Sequence, residues 1–387
     1  MKTYAQHRRI IDADSHLMEL DDFLHNAARP EHLGFVPSMH DQKSLPVHKE
    51  GLEKGRALLA RRQQEPETMA KFEAALMDNT KSGWSRLGAF DPKERSHTLD
   101  LLGFEMQWVL PTYAFHQTLH AAHDEALAAT SMTLNRAMAN FCAHDARLKA
   151  VGYIPLNLGP ERAKAIMDQV FDDGCYTFLL PTNEPNPDNK SYTHPDFDPI
   201  WAGFAERGIP AGIHVAANGD YNPVSPSFKN NGKNELALGG DAPAGELSLL
   251  NIGASAQLFL SAMIFDDVFT RHPDLRVMSM EHAAYWLPSW LHQLDFTANL
   301  LKRSRKFVEA PSVTAKRHIK VSPFAGEPVG WIIDNVGPDM LVFASDYPHP
   351  EGTNDPIGKF ERTMTDCDAE TMDKFYFGNM LDLMGVS

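Results

Sequence analysis

The sequence predicts an α/β fold, specifically a closed (β/α)8 TIM barrel, and three observations predict it. Short apolar runs recur along the chain with amphipathic helical stretches between them, which is typical of parallel strands joined by crossover helices. There are eight such runs, the number that closes a barrel. Polar side chains with ligand chemistry follow three of them at the carboxyl end, where barrels of this kind carry their active sites.

The eight predicted strands cover residues 9–14, 106–110, 150–154, 177–180, 211–215, 276–280, 319–321 and 341–344. Amphipathic helical segments are predicted between them, including residues 122–144, 160–173, 199–207 and 255–271. Strand and helix therefore alternate along most of the chain, and we expect a single domain over residues 1–387.

Two stretches exceed a minimal barrel and are predicted to be insertions after strand 1 and strand 5. Residues 29–96 are long and polar, with a charged helical piece at about 50–77. Residues 217–253 are rich in Asn, Gly, Pro and Ser and follow His214 closely. An excursion of this length is more often functional than idle, so we expect the second to cover the site as a lid or to form an oligomer contact.

The composition indicates a cytoplasmic protein with a sizeable core. Apolar residues make up 43% of the 387 residues, and 36 basic against 51 acidic residues give a net charge of −15. That balance argues against nucleic-acid or anionic-membrane partners. Three cysteines without zinc-finger spacing favour a reducing compartment, and neither a signal peptide nor a run of transmembrane length is expected.

Four side chains at predicted strand ends are candidate ligands of one divalent metal. Asp14 and His16 lie two residues apart at the end of strand 1, and the strand period of two puts them on one face together with Asp12. His214 ends strand 5 and Asp346 follows strand 8. Two imidazoles and two carboxylates suit zinc, manganese or iron. Each residue alone is equally well explained as a capping or hydrogen-bonded group, but that alternative must hold on three separate strands.

The next strand end supplies a candidate catalytic group, His282, which follows the run 276–280. An imidazole beside a metal can polarise a carbonyl or move a proton. A histidine hydrogen-bonded under a loop is the structural alternative, and the neighbouring Glu281 can equally be the functional group.

Further residues are candidates for the substrate pocket, although each is singly as consistent with the core or the surface. Arg86 can hold a carboxylate bidentately, and His349 lies in a proline-rich loop after Asp346. The other candidates are Trp84, Tyr113, His116, Glu281 and Trp286. The fourth strand ends without the lysine that often bridges two metals in hydrolytic barrels, so a mononuclear site is predicted.

Several motifs occur in an order that resembles a known family. They are Ile11-Asp12-Ala13-Asp14-Ser15-His16, Phe90-Asp91-Pro92-Lys93-Glu94-Arg95 with Asp100, Gly103 and Val109-Leu110-Pro111-Thr112, then His214, Glu281-His282-Ala283-Ala284-Tyr285-Trp286 and Ala344-Ser345-Asp346-Tyr347-Pro348-His349. Together they resemble the amidohydrolase superfamily, in the branch of 2-amino-3-carboxymuconate-6-semialdehyde decarboxylase and related aromatic-acid decarboxylases. The resemblance covers nearly the whole chain and implies a barrel with one divalent ion at Asp14, His16, His214 and Asp346, and a catalytic His282. Two positions depart from the family: Asp14 stands where His or Glu is common, and Ala283 where glycine is usual.

The leading functional expectation is a metal-dependent, non-oxidative decarboxylase of an aromatic or unsaturated carboxylic acid, with His282 and Asp346 as catalytic residues. The alternative is a metal-dependent hydrolase of a C–C, ester, thioester or amide bond at the same mononuclear site. A metal-containing binding or scaffold protein is a third possibility. We expect a small-molecule carboxylate as substrate and a homo-oligomer, either a dimer or a tetramer.

Overall fold

The computed structural model describes residues 2–20, 22–37, 46–78, 85–217, 225–233, 245–349 and 352–386. The chain divides into two compact units. Unit 1 contains Met1–Leu158, Ala165–Phe178 and Ala344–Ile357, and unit 2 contains Gly159–Lys164, Leu179–Phe343 and Gly358–Ser387. The single domain over residues 1–387 stays a prediction.

Seven parallel strands alternate with helices in the described chain, which confirms the predicted α/β class. The strands are β1 (Ile11–His16), β2 (Met106–Leu110), β3 (Leu148–Tyr153), β4 (Thr177–Leu179), β5 (Ala211–His214), β6 (Val277–Met280) and β7 (Ile319–Val321). Their positions agree with seven of the predicted runs to within one or two residues, because short apolar runs bounded by turn residues are the signal that marks a buried strand.

The helices fall between the strands and after the last one. They are α1 (Phe23–Ala27), α2 (Pro46–Gln64), α3 (Pro66–Met77), α4 (Pro92–Leu102), α5 (Tyr113–Leu119), α6 (Asp124–Cys142), α7 (Pro160–Val170), α8 (Asp198–Arg207), α9 (Pro226–Lys229), α10 (Glu246–Leu250), α11 (Ala254–Phe265), α12 (Val268–Arg271), α13 (Leu287–Leu301), α14 (Pro311–His318), α15 (Val329–Val336), α16 (Pro356–Glu361), α17 (Ala369–Asp373) and α18 (Asn379–Met384). A π-helical turn, Lys374–Gly378, joins α17 to α18.

In unit 1, β1 pairs with β2 and β2 pairs with β3, both in parallel. Helix α4 begins where the sequence signals a start: the Asp91 carboxylate accepts from the backbone N–H groups of Lys93 and Glu94, and proline follows it. It ends at Gly103, whose φ of 73° suits glycine. The charged piece predicted at 50–77 is two helices, because α2 ends at Gln64 and Pro66 opens α3.

In unit 2, β5 pairs with β6 and β6 with β7, again in parallel. The predicted helix 255–271 is interrupted at Asp267, whose φ is 61°, so that α11 and α12 are separate. The stretch Glu246–Phe265 is apolar enough by length and composition to cross a membrane, with a mean hydropathy of 1.6, which differs from the expectation of no such run. A turn at 251–253 divides it. About 39% of its most apolar part is buried, with Leu260 and Met263 of α11 among the buried residues.

The eighth predicted strand, residues 341–344, does not form a regular ladder. In unit 2, Leu341 makes a single parallel bridge to Val321. The N–H of Phe343 donates to the carbonyl of Phe375 instead of to a strand, so the pairing stops there. The described chain thus holds seven regular strands, and an eight-stranded closed barrel stays a prediction.

The two predicted insertions stay predictions as well. Residues 29–96 contain α2, α3 and the first turn of α4. Of the stretch 217–253, residues 218–224 and 234–244 lie outside the described residues, and the described parts include α9 and α10.

Candidate active site

In unit 1 the strand that carries Asp14 and His16 contains a β-bulge. Asp12 pairs with Gln107 and Ser15 with Val109, so three steps along β1 match two along β2. The uninterrupted period of two, on which the shared face of Asp12, Asp14 and His16 was predicted, is therefore wrong at this point. A bulge re-aims the side chains beside it.

Asp12 holds the segment that carries Asp346. Its Oδ1 accepts from the Ser345 N–H at 2.9 Å, and its Oδ2 accepts from the Ser345 hydroxyl at 2.6 Å and from the Gln107 amide at 2.9 Å. Burial raises the pKa of Asp12 to about 7. Asp12 thus positions the chain beside Asp346.

Two carboxylates face the same nitrogen of His16 in unit 1. The His16 Nε2 lies 3.3 Å from the Asp14 Oδ1 and 3.6 Å from the Asp346 Oδ1. The Asp346 N–H donates to the Asp14 carbonyl at 2.9 Å, so the two chain segments are fixed to each other. Asp346 itself has a φ of 54°, in the left-handed region that aspartate tolerates better than most residues.

His349 completes this cluster. Its Nδ1 lies 3.2 Å from the Asp346 Oδ1, and its ring stacks on that of His16 with centroids 3.9 Å apart. Donor atoms of His16, Asp346 and His349 all lie within 4.8 Å of one another. His349 was predicted as a substrate contact, but its geometry is equally that of a metal ligand.

The hydroxyl of Thr112 contacts both imidazoles of the cluster. It lies 2.9 Å from the His349 Nε2 and 3.3 Å from the His16 Nδ1. A ring nitrogen held in this way leaves the opposite nitrogen directed at the carboxylates. Thr112 is in turn fixed by Glu19, whose two carboxylate oxygens accept from the N–H groups of Thr112 and Tyr113 at 2.8 Å each. Burial raises the pKa of Glu19 to about 7.

Unit 2 carries its own pair of candidate ligands. The His214 Nε2 lies 2.9 Å from the Glu281 Oε2. The His214 Nδ1 accepts from the Ala216 N–H at 3.2 Å, which turns Nε2 toward the carboxylate. Glu281, which was predicted as a substrate contact or as the functional group in place of His282, is therefore also a candidate ligand. The membership of His214 in one shell with Asp14, His16 and Asp346 stays a prediction.

His282 is completely buried in unit 2, and its Nδ1 lies 3.0 Å from the Ser279 hydroxyl. The residues on either side of it have positive φ, 58° at Glu281 and 57° at Ala283. Such conformations cost energy for residues with a side chain and cluster at functional sites. At position 283 the family's usual glycine would adopt this φ without that cost.

The turn that carries His282 is fastened from two sides. The Glu327 carboxylate accepts from the Ala284 N–H at 2.9 Å and from the Phe324 N–H at 2.6 Å, and burial raises its pKa to about 7. The Trp286 indole N–H donates to the carbonyl oxygens of His282 and Ala283. Trp286, a predicted pocket residue, therefore has a positioning role in this turn.

Gly253, where the second predicted insertion ends, packs directly on this turn. A Cβ at Gly253 would lie 2.5 Å from the Trp286 ring and 2.8 Å from the His282 carbonyl oxygen. The end of the excursion is thus close to the His282 turn, and the lid itself stays a prediction.

The remaining pocket candidates stay predictions, and the structure shows the following contacts for them. Tyr113 belongs to a buried apolar cluster with Met18 and Phe90, and His116 stacks on His120 at 4.1 Å. The Arg86 guanidinium lies 4.8 Å from the centroid of the Tyr347 ring. Trp84 lies outside the described residues.

Sequence reasoning missed Thr112, Glu19 and Glu327. Thr112 offered a signal, because it follows a predicted strand after a single proline, and polar residues at strand ends were the criterion used for the ligands. The two glutamates offered none, since Glu19 accepts from N–H groups 93 and 94 positions away and Glu327 accepts from one that is 43 positions away.

Comparison with known proteins gives one family and one fold. The sequence matches the family described as amidohydrolase over residues 11–383. An amidohydrolase from Mycobacterium avium subsp. paratuberculosis is similar over 99% of both chains, with 22% identity and a TM-score of 0.73.

Two solved decarboxylases are also similar in structure. A 5-carboxyvanillate decarboxylase from Novosphingobium aromaticivorans, complexed with manganese and 4-hydroxy-3-methoxy-5-nitrobenzoic acid, has 17% identity and a TM-score of 0.63, over 100% of this chain and 98% of that one. A dihydroxybenzoic acid decarboxylase from Polaromonas, with manganese and the inhibitor 2-nitroresorcinol, has 15% identity and a TM-score of 0.61, over 98% and 97%. At these identities the likeness shows the fold.

Proposed function

The chain belongs to the amidohydrolase family, and from that premise we propose that it is a metal-dependent, non-oxidative decarboxylase of an aromatic or unsaturated carboxylic acid. One observation carries the proposal: carboxylate oxygens of Asp14 and Asp346 both lie within 3.6 Å of the His16 Nε2. Two decarboxylases of the same fold hold manganese, which supports this choice of reaction.

The donor set fits a divalent ion. Ligands of one ion at about 2.0–2.3 Å can lie no more than about 4.6 Å apart, and the His16 Nε2 is within 3.6 Å of carboxylate oxygens of both Asp14 and Asp346. Imidazole with carboxylate suits manganese, zinc or iron. When bound, such an ion neutralises negative charge on the oxygens of a substrate carboxylate.

The chain's own residues supply the proton. In decarboxylation the bond between the ring carbon and the carboxylate breaks, its electron pair stays on the carbon, and CO2 leaves. Asp346 in its protonated form gives that carbon a proton. The His349 Nδ1, 3.2 Å from the Asp346 Oδ1, lies where it can return one, and the Thr112 hydroxyl fixes the other side of its ring.

Further assignments from the sequence form part of the proposal. His214 is proposed as a ligand and His282 as the group that holds or polarises a substrate oxygen. A single ion, a cytoplasmic location, a homo-oligomer and the lack of nucleic-acid or membrane partners also stay predictions.

Hydrolysis at the same site is the alternative, and the amidohydrolase of the same fold favours it. Here Asp346 would take a proton from a water that attacks a carbonyl. The two reactions can be told apart by their products. Decarboxylation releases CO2, whereas hydrolysis incorporates an oxygen of water into the product.

The test is a screen of metal-replete protein against hydroxybenzoates, muconate semialdehydes and acyl esters, with detection of CO2 and of 18O from labelled water. We expect CO2 release that is lost in Asp346→Asn and kept in Asp100→Asn, a matched change of an exposed aspartate that pairs with Arg147. Product labelled with 18O without CO2 would replace the decarboxylase with the hydrolase. Full activity after complete metal removal would contradict both.

A further inference from the structure

We propose that a small buried cavity in unit 1, beside Arg86 and Tyr347, binds one monatomic anion of the chloride type. The cavity has a volume of about 20 Å³. Its polar lining side chains are Tyr4, Arg86, Ser345, Tyr347, Thr353 and Asn354, and apolar ones such as Leu102 and Phe104 complete the wall.

The Arg86 guanidinium is the cation of this site. The residue is 92% buried, since only 8% of its surface is exposed. Within the described part of the chain no carboxylate forms an ion pair with it. Burial lowers the pKa of Arg86, and the groups that favour its charged form are the tyrosines Tyr347 and Tyr4 rather than an acid. A buried charge of this kind is costly until a counter-charge reaches it.

Another buried arginine in the same unit, Arg62, is paired with a carboxylate and serves as a comparison. The Arg62 side chain is also buried, and its Nε and Nη2 atoms donate to the two carboxylate oxygens of Glu94 at 2.9 and 2.8 Å. The Arg86 guanidinium instead lies over the face of the Tyr347 ring, with its Cζ 4.8 Å from the ring centroid. A cation–π contact compensates less of the lost hydration than a bidentate carboxylate does.

A second guanidinium adds to the positive potential around Tyr347. Arg95 is fully buried and lies 5.2 Å from the same ring centroid. Its hydrogen bonds go to neutral oxygens, among them the Gly88 carbonyl and the Gln107 side chain. Two cations thus flank one aromatic ring, and the cavity opens beside one of them.

Two other polar groups of the wall, Thr353 and Asn354, can donate to an anion, whereas the hydroxyls of Tyr4 and Ser345 already donate to Asp355 and Asp12. Thr353 Oγ1 accepts from the Asp355 N–H at 3.3 Å, which leaves its own O–H available. The Asn354 Oδ1 is buried without a hydrogen bond, and exchanging the two ends of that amide would bring its NH2 group there instead.

The size of the cavity selects the ligand. About 10–15 Å³ is needed for one water, so 20 Å³ holds a single water-sized particle. A carboxylate or phosphate with its several heavy atoms does not fit. Arg86, predicted from the sequence to hold the substrate carboxylate, is on this argument a halide ligand instead.

Bromide is the probe, because it substitutes for chloride and scatters anomalously. Crystals of the full chain grown in sodium bromide should show an anomalous peak in the cavity beside Arg86. The melting temperature should also rise in a saturating way when sodium gluconate is replaced by sodium chloride at equal ionic strength, since an ion that binds only the folded state stabilises it.

Arg86→Met keeps the bulk of the side chain but removes the charge, and the chloride-dependent rise should disappear. Arg147→Met is the matched control, because Arg147 is paired with Asp145 and Asp100, and it should keep that rise. If Arg86→Met does not fold, Thr353→Val should weaken the chloride response. A wild-type protein with no bromide peak, or with equal stability in gluconate and chloride, would overturn the proposal.

Discussion

The polar turn after β2 in unit 1 and the polar turn after β6 in unit 2 hold their candidate functional groups by different means. In unit 1 a side chain does it: the Thr112 hydroxyl contacts the rings of both His16 and His349. In unit 2 the Ser279 hydroxyl contacts one ring, that of His282, at 3.0 Å, and the main chain contributes as well, because Glu281 and Ala283 adopt positive φ on either side of His282. The contact in unit 1 can be removed by deleting one hydroxyl group, whereas the arrangement in unit 2 also depends on the conformation of the main chain.

A buried glutamate supports each turn, but the two glutamates bind differently. Glu19 uses one oxygen for the Thr112 N–H and the other for the Tyr113 N–H. The Glu327 Oε1 alone can accept from both Ala284 and Phe324, since it lies 3.1 Å from the first nitrogen and 2.6 Å from the second, although the Oε2 is closer to Ala284, at 2.9 Å. A side chain with a single acceptor oxygen therefore suits the second position and not the first.

The largest expected effect is the pH dependence that Glu327 contributes to stability. Its pKa is raised in the folded protein from 4.5 to about 7, so the folded state binds the proton more tightly than the unfolded state. Stability is then greatest below pH 4.5 and is lost as the pH rises toward 7, by on the order of 3 kcal/mol at about 1.4 kcal/mol per pKa unit. Glu327→Gln does not titrate, and urea unfolding should show the stability gap between wild type and variant changing by that amount over this range. An unchanged gap would mean that Glu327 is not buried as described.

The next effect is a difference in stability between Glu19→Gln and Glu327→Gln at a single pH. Glu19→Gln places an amide NH2 against a backbone N–H, and leaving a buried donor unsatisfied costs about 1–3 kcal/mol. Glu327→Gln keeps an oxygen that accepts from both donors and should cost less than Glu19→Gln. Urea midpoints of the two variants at pH 7 measure this. Equal losses would remove the distinction between the two supports.

The sequence predicts those features of the fold and the site that depend on residues close together in the chain. The strands were placed well because an apolar run such as Met106–Leu110 carries its own signal. Asp14, His16 and Asp346 were identified because they lie at the ends of predicted strands, and the structure brings them together in unit 1. The bulge in β1 and the role of Glu19 could not be predicted, since Glu19 meets a residue 93 positions away and nothing near it in sequence indicates this.

A smaller effect tests the side-chain support of unit 1. Thr112→Val is close in shape but removes the hydroxyl that contacts His16 and His349, which should cost about 1 kcal/mol of stability. Loss of a group that orients a metal-binding histidine typically lowers metal affinity or activity about 10- to 100-fold. Thr118→Val in α5, the helix that begins directly after Thr112, is the matched control, because that buried hydroxyl donates to the Ala114 carbonyl and, among the described residues, contacts neither histidine. Metal titration and turnover of the two variants should therefore differ, and identical values would show that the Thr112 hydroxyl does not orient the histidines.

The smallest effect tests the backbone support of unit 2, and its sign is opposite to the others. Ala283 has a φ of 57°, where a residue with a Cβ loses about 1–2 kcal/mol, while glycine loses about 0.5–1 kcal/mol more than alanine in backbone entropy on folding. Ala283→Gly should therefore raise the melting temperature slightly, by a net free energy of roughly 0.5–1 kcal/mol. Ala284→Gly is the control: Ala284 is buried and does not have a positive φ, so this change should lower stability. If both glycine variants lose stability equally, the turn around His282 is not under conformational strain, and its contacts with Ser279, Glu327 and Trp286 are what hold it.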